Sequence, residues 1–371
     1  MLLSSLDIHH PSYNPVRWAE NAALCEGGER FTRMVGRFLL PNPAETPELF
    51  DLRKRNAAFF SYLGSIASTF ASWLFLGSLS AGAFERDTDR QIADLDPVYG
   101  RLHEDVGGEV SLPAFAKARF IDALATGVAH TLIERPSNQG EPPRTLAEYE
   151  ARDLGRVTLT ALDRCELIDF ERDQHGIYRW ALTHTTTAER ATLADSRTMI
   201  RETWRLYDAT HVTVWTLDYD AKDGRPPATT DIAATEAAPH GFLRVPIVDM
   251  VIPTSAIIGE IGRDAQISVF RLGAALDWSL NRCAYPMPVF KSDEEDDADQ
   301  TLGAGYFIKL PTGSSFEWAS PPSESFEVLR RSRDAARQEL YRLCGLIQAS
   351  FGDNAEQVGR SAESKRADEA T

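Results

Sequence analysis

Residues 254–284 read TSAIIGEIGRDAQISVFRLGAALDWSLNRCA, and this stretch decides the architecture. Ile258, Ile261, Ala265, Val269, Leu272, Leu276 and Leu280 recur at steps of three and four. That spacing gathers apolar side chains on one face of a helix. Thr254 or Ser255 can cap its start, and Pro286 stands beyond its end. At about 1.5 Å per residue such a helix is roughly 40 Å long. That is long for a globular core and natural for a spoke or stem.

A second long helix is expected from about Ser323 to Ser350, with Phe326, Leu329, Ala336, Leu340, Leu343 and Ile347 on its apolar face. Its other side carries Arg330, Arg331, Arg333, Arg337 and Arg342. Interleaved Glu324, Glu327, Asp334 and Glu339 weaken that side as a nucleic-acid patch and favour ion pairs. Between the helices lies the run Ser292-Asp293-Glu294-Glu295-Asp296-Asp297-Ala298-Asp299, which reads as a solvated loop. Tyr306–Leu310 and Ser315–Trp318 read as a hairpin turning at Pro311-Thr312-Gly313. Gly352 to Thr371 is polar and charged.

Upstream of the first long helix the composition turns to β. Val157–Thr160, Cys165–Glu171, Ile177–Thr187, Thr203–Ala209 and His211–Asp218 are short and rich in β-branched and aromatic residues. Asp173-Gln174-His175-Gly176 punctuates them as a turn, and Ala221 to His240 is a polar loop. Residues 137–147 form a Pro/Gly-rich linker. Before it, Val128–Glu134 reads as a strand, and Pro113 opens a helix over Ala114–Gly127 with Phe115, Ala118, Ile121 and Ala125 on one face. The proline-rich first 50 residues predict loops around a short helix near Val16–Leu24. From Glu48 one helix is expected to run through Leu49–Arg55 into the apolar stretch beyond. Long helices flanking a strand-rich middle predict an α+β fold. No internal repeat is visible.

The 371 residues exceed what one compact core usually holds, so two or more subdomains are expected. A formal charge of −16 disfavours tight binding to a phosphate backbone. It does not argue against DNA passing by, since a channel that lets DNA slide must not grip it. Cys25, Cys165, Cys283 and Cys344 form no C-x-x-C pair and no zinc spacing, which predicts a reduced, cytoplasmic setting. The N-terminus lacks a basic region followed by a long apolar run, and no signal peptide is expected. Asn56 to Phe84 holds no charged residue and is long enough to span a bilayer, but its serines and glycines favour a packed helix over a membrane helix.

Catalytic signatures are missing. Gly303-Ala304-Gly305 lacks the rest of a dinucleotide fingerprint, and no P-loop, H-E-x-x-H or G-x-S-x-G occurs. His9-His10 has no third ligand nearby and makes a poor metal site. His130, in an apolar strand, reads as a satisfied core histidine, and His175 as a turn residue; His103, His184, His211 and His240 stand in no motif. Glu166/Asp169 and Asp218/Asp220 are acid pairs that nothing distinguishes from solvated strand charges. The residues therefore predict no catalytic, cofactor-binding or metal site, no cofactor, and no enzyme.

Four stretches, in order, resemble the tailed-phage portal family. Phe50–Phe60, with Tyr62 and Phe75-Leu76-Gly77, is similar to its early wing segment. Ser111–Ala116 leads through Leu124-Ala125-Thr126-Gly127 to Thr131–Pro136, like the family's helix, glycine, strand and proline. Leu167-Ile168-Asp169-Phe170 and Gly176–Trp180 resemble paired strands of its central region. Val245-Pro246-Ile247-Val248 precedes the first long helix and Tyr285–Phe290, and Phe307–Gly313 precedes the second. The likeness covers roughly residues 50–350, and the order of the segments carries it.

The resemblance implies a portal-like fold with long stem and wing helices. Residues 1–150 would be an N-terminal wing region, 151–253 a small β-rich clip-like module, and 254–284 the stem helix. Residues 285–371 would hold wing strands, the tunnel-loop region near 311–325 and the second long helix. It implies a homo-oligomeric, dodecameric ring at one capsid vertex of a bacteriophage virion, assembled in the host cytoplasm. That ring is the conduit for DNA packaging and genome ejection. The implied partners are further copies of the chain, the large terminase, head-completion or adaptor proteins, and the major capsid or scaffold protein. Double-stranded DNA passes without sequence-specific binding, and no membrane is involved. Which residues face the DNA channel is unknown from the sequence. Family members continue past the second helix into a crown, which is short or missing here, so a domesticated or truncated portal of a gene-transfer agent or prophage fits as well. The alternatives are an enzyme whose site is built from scattered residues, and a membrane-associated protein using residues 56–84.

Overall fold

The computed structural model describes residues 8–43, 45–76, 97–135, 145, 147–148, 152, 156–189, 198–221, 233–234, 237–283, 287–291, 315–319 and 323–346. The fold is α+β, and the chain forms two compact units that interleave in sequence. One comprises residues 1–26 and 62–261, the other residues 27–61 and 262–371.

The first unit begins with α1 (Pro15–Glu26), close to the expected short helix. The Asn14 side chain accepts the Arg17 amide at 3.2 Å, and Pro15, which has no N–H to satisfy, opens the first turn. The helices α4 (Tyr62–Leu74), α5 (Pro97–Glu104) and α6 (Leu112–Thr126) follow the second unit's contribution. α6 ends at Gly127, whose φ of 95° is left-handed and suits glycine at a helix C-terminus. Ala118, expected on its inner face, is exposed, and burial concentrates at Ala123–Thr126 instead.

Every expected strand of the middle region is present. β1 (Val128–Glu134) is the centre of a three-stranded antiparallel sheet, with β2 (Thr158–Leu162) on one side and β9 (Ile247–Val251) on the other. A six-stranded sheet runs in the order β3 (Leu167–Arg172), β4 (Tyr178–Glu189), β5 (Met199–Tyr207), β6 (His211–Asp220) and β7 (Ala233–Ala234). A short β8 (Ala238–Pro239) pairs with the start of β6. The β3–β4 turn is the one expected: Asp173 Oδ1 accepts the amides of His175 and Ile177, and Gly176 takes a φ of 80°.

Because successive strand residues point to opposite faces, the six-stranded sheet has two cores. Tyr178, Ala181 and Tyr207 face Leu132, Leu162, Val245 and Ile247 of the smaller sheet, so this cluster binds the two sheets together. Leu182, Trp204, Trp215 and Leu217 form the opposite core with Ile168, and Tyr13 of the N-terminal segment packs on it. The Tyr13 hydroxyl donates to the Cys165 carbonyl at 2.7 Å, which ties that segment to the turn before β3.

The expected helix over 254–284 is broken. A 3-10 turn (Thr254–Ala256) leads into α7 (Ile258–Ile261), and α8 (Arg263–Cys283) starts after Gly262. The reason is local. Gly259 lies so close to α6 that a Cβ there would sit 1.9 Å from the Ala125 carbonyl oxygen. α7 is held in the first unit by that approach, while α8 belongs to the second. With 21 residues, α8 is about 32 Å long rather than 40 Å.

The second unit contains α2 (Gly28–Phe38), α3 (Pro47–Asn56), α8, β10 (Met287–Lys291), β11 (Ser315–Ala319) and α9 (Ser323–Leu343). The expected single helix from Glu48 into the apolar stretch is two helices in two units. α3 stops at Asn56, and Ala57 turns extended. Phe59 then stacks on Phe31 at 3.6 Å, with Phe270 edge-on to both, and the Phe60 carbonyl accepts Gln266 Nε2 at 2.9 Å. Burying Phe59 is what ends α3. α2 (GERFTRMVGRF) is a helix where the proline-rich sequence predicts loop.

α8 packs along α9, close enough that a Cβ on Gly273 would touch the Arg333 stem at 4.0 Å. α9 ends at Leu343, followed by Gly345 with φ 74°. Leu343 and Leu280, both expected on inner faces, are exposed, and Cys344 is buried beside Leu340. β10 and β11 pair antiparallel, from Met287↔Ala319 to Lys291↔Ser315. Ser315–Trp318 is thus a strand as expected. Tyr306–Leu310, the acidic run, residues 311–314 and 320–322, residues 137–144 and 146 of the linker, and residues 352–371 lie outside the described residues.

Candidate functional site

Among the described residues, polar chemistry gathers at three places. The first is where the two sheets meet. His130 on β1 and Asp249 on β9 are register partners, and His130 Nδ1 donates to Asp249 Oδ1 at 2.7 Å. Asp249 Oδ2 accepts the Tyr178 hydroxyl at 2.8 Å and a guanidinium N–H of Arg172. Arg172 also donates to the Tyr178 oxygen at 2.6 Å and lies 4.3 Å over its ring. His130 and Asp249 keep only 6% and 8% of their side-chain surface. Burial pushes the Asp249 carboxyl up, but the bonds from His130 and Tyr178 and the charge of Arg172 outweigh it and hold the group below the usual carboxylate range. Burial, and after it Asp249, pushes the Tyr178 hydroxyl upward, away from any role as a nucleophile. His130 is thus a paired core histidine, as the strand pattern predicted. A His–Asp pair suggests acid–base catalysis only when a reacting group can reach it. Here the network closes on itself and fastens β1 and β9 to β3 and β4.

The second place is the base of α1. Arg17 grips Glu260 of α7 through Nε and Nη2, the shortest contact being 2.6 Å, and Asn21 Nδ2 donates to Glu260 Oε1 at 2.6 Å. Arg164 stacks its guanidinium 4.0 Å over Trp18. Burial lowers the Arg164 pKa from its ordinary value. Glu166 sits next to it, half buried, and accepts the Asp163 amide at 2.8 Å; burial raises its carboxyl. Glu260 locks the kinked segment that replaces the expected continuous helix.

The third place is a groove of about 620 Å³ on the second unit. One wall is the α2 stripe Gly28, Phe31, Thr32 and Val35; the other is Asp51, Lys54 and Arg55 of α3, with Ala57 and Phe59 closing the end. Its volume lies in the range of ligand and peptide clefts. Among the described residues its lining has no histidine and no cysteine. Lys54 Nζ is 2.6 Å from Asp51, whose carboxyl is lowered chiefly by that bond.

The residues singled out by sequence are scattered. His9 stacks on Tyr13 and His10 on Phe170, so the two adjacent rings serve different contacts. His184 stacks on Trp204, while His175 sits in an exposed turn and His211 at the exposed start of β6. Glu166 and Asp169 bond separate backbone amides, and Asp218 is taken by Arg201 at 2.7 and 2.9 Å. Cys25, Cys165 and Cys344 are free thiols. Among the described residues no three of His, Cys, Asp and Glu could hold a metal ion, and no helix is long and apolar enough to cross a membrane.

On α9 the arginines pair along the helix: Arg330 and Arg331 with Glu327, Arg337 with Asp334, and Arg342 with Glu339. Sequence reasoning missed Asp249, Arg172, Tyr178 and the Arg17–Glu260 clasp. The first had a readable signal, since Asp249 is the lone polar residue of β9 and His130 lies among the mostly apolar residues of β1.

No protein-family model matches the chain, and no curated protein matches it. Among solved structures it is similar to a chain of "Neck of empty GTA particle computed with C6 symmetry". That likeness has a TM-score of 0.38 and 13% identity, over 98% of this chain and 78% of the other.

Proposed function

We propose that the chain is a portal-type subunit, which assembles into a ring through which double-stranded DNA passes into and out of a phage-like particle. The ordered sequence resemblance motivates the reading. The observation that carries it furthest is the second unit's order of elements: the long helix α8, the paired strands β10 and β11, and the long helix α9 lying back along α8. A helix of about 32 Å packed against an equal one is a rigid spoke, suited to repetition around an axis.

In this reading residues 1–150 act as wing and 151–253 as the clip-like module that meets terminase, head-completion or adaptor proteins. Residues 254–284 act as stem, and 285–371 as wing strands, tunnel-loop region and second helix. The subunit does no chemistry; ATP hydrolysis belongs to the terminase. The function is mechanical, and the polar networks serve to keep the sheets and α7 in fixed register.

The test is mass photometry of the purified full chain with negative-stain imaging, alone and with scaffold or capsid protein. Rings with a central hole, dodecameric by analogy with the family, are expected. A monomer under every one of those conditions sinks the proposal.

A further inference from the structure

The groove between α2 and α3 combines an apolar floor with a basic rim. Its floor is apolar and firmly backed: Phe31 and Phe59 stack at 3.6 Å, with Phe38 and Phe270 behind them. Its mouth is wide at the α2 end, where a Cβ on Gly28 would meet nothing. Its rim is basic. Lys54 and Arg55 outnumber Asp51, and Nε of the exposed Arg55 donates to the backbone carbonyl of Asp51 at 3.3 Å. Residues 27–61 hold six basic and four acidic residues in a chain whose net charge is −16, so this surface runs against the charge of the whole.

The same chain carries the complementary segment. Asp293–Asp299 places six carboxylates in seven residues, and Leu302 follows as an apolar side chain. Residues 292–314 join Lys291 to Ser315, which are paired across β10 and β11. Half of that connection, about 11 residues, can reach at most roughly 36–40 Å. From these facts we infer that the α2–α3 groove receives the acidic run Asp293–Asp299 of a second copy of the chain. The inference rests on the ring reading for the identity of the partner. A groove on one copy filled by a segment of the next is a heterologous contact, the kind that generates rings when the rotation closes. Carboxylates would meet Lys54 and Arg55 at the rim while Leu302 covers Phe31 and Phe59.

Two measurements test it. A labelled peptide of residues 290–303 is titrated into full-length chain whose own run is neutralised by Asp→Asn and Glu→Gln changes at 293–297 and 299. Binding is expected, weakening on the order of tenfold or more between 0.05 and 0.5 M salt, because exposed charges are screened. Lys54→Glu with Arg55→Glu should abolish it, and so should Thr32→Trp, which fills the groove without touching its charge; circular dichroism checks that both variants fold. No binding, or binding indifferent to both variants, overturns the inference.

The second measurement is complementation. The groove-reversed chain and the run-neutralised chain should each stay monomeric, yet give dimers and nothing larger when mixed, since each keeps one half of the contact. Wild-type rings that persist in the groove-reversed chain sink the groove and leave the portal reading standing. Mixed dimers with no wild-type ring do the reverse. A wild-type chain that stays monomeric and refuses the peptide until its own run is neutralised shows the run occupying its own groove, and that too overturns the second-copy assignment.

Discussion

Asp249 on β9 accepts a hydrogen bond from His130 on β1 across 2.7 Å, at the line where the two sheets of the first unit meet. Its other oxygen is shared by Tyr178 and Arg172. Removing the carboxylate leaves a buried imidazole, a buried phenol and a guanidinium without their common acceptor. Asp249→Ala should therefore cost about 3–5 kcal/mol, the usual penalty for breaking a buried pair from one side. Urea denaturation followed by tryptophan fluorescence reads it, because Trp180, Trp204 and Trp215 lie in the attached sheet. A loss below about 1 kcal/mol would mean the network is ornamental.

The same carboxylate makes the chain acid-sensitive. Asp249 is held below the ordinary range in the folded state, so the unfolded chain binds more protons through the acid window. Its contribution is present above the unfolded pKa and is lost as pH falls through the folded one. The stability of the wild type should drop over that window more steeply than that of Asp249→Asn. Parallel curves for the two proteins, from denaturant midpoints at pH 3 to 7, would refute this.

Glu166 has the opposite sign. Burial raises its carboxyl, so the folded state prefers the protonated form: its stability is full below the unfolded pKa and is lost as pH rises through the folded pKa. Glu166→Gln keeps an acceptor for the Asp163 amide and removes the charge. The variant should melt higher than wild type at neutral pH, with the gain vanishing in acid. A lower melting temperature at neutral pH would show that Arg119 and Arg205 stabilise the carboxylate more than burial penalises it.

Among the described glycines, Gly259 is the one where an added side chain meets the closest contact. A Cβ there would stand 1.9 Å from the Ala125 oxygen and 2.8 Å from its carbonyl carbon, both backbone atoms that no rotamer change can move. Gly259→Ala should destabilise by at least about 3 kcal/mol or abolish soluble expression, since overpacking against backbone is costlier than against side chains. Gly36→Ala, where the nearest atom is the Lys54 stem at 3.8 Å, is the control and should be neutral or slightly stabilising. Equal behaviour of the two variants would remove the close crossing of α6 and α7 from the account.

These four positions show what the sequence made legible. Strand alternation and turn residues are local signals, so β1 to β6 and the Asp173–Gly176 turn could be read directly. His130 could be read as a core residue from its apolar flanks. The two breaks in expected helices could not, because each is imposed by a distant partner. Phe59 leaves the helical path to stack on Phe31. Gly259 and Glu260 are held by Ala125 and Arg17, more than a hundred residues away along the chain. The interleaving of the two units follows from the same long-range contacts. The groove was invisible for a further reason: α2 has no signature beyond an amphipathic pattern short enough to pass for loop.

The arginines of α9 offer the last test, because they separate a conduit from a DNA-gripping protein. Glu327 lies within 3.3 Å of Arg330 and 3.7 Å of Arg331, and Glu339 within 2.6 Å of Arg342. These are exposed pairs one helical turn apart, screened by solvent, and each contributes little to stability. Replacing Arg330, Arg331 and Arg342 by alanine should therefore leave the melting temperature nearly unchanged. A pairing role also predicts that charge is already neutralised along the helix, leaving little to attract phosphate. Duplex DNA should then show weak, salt-sensitive retention that is the same for the wild type and the triple variant in an electrophoretic shift at 0.05 M salt. If the wild type binds duplex tightly and the triple variant does not, α9 grips the backbone, and a passive channel wall is the wrong description of it.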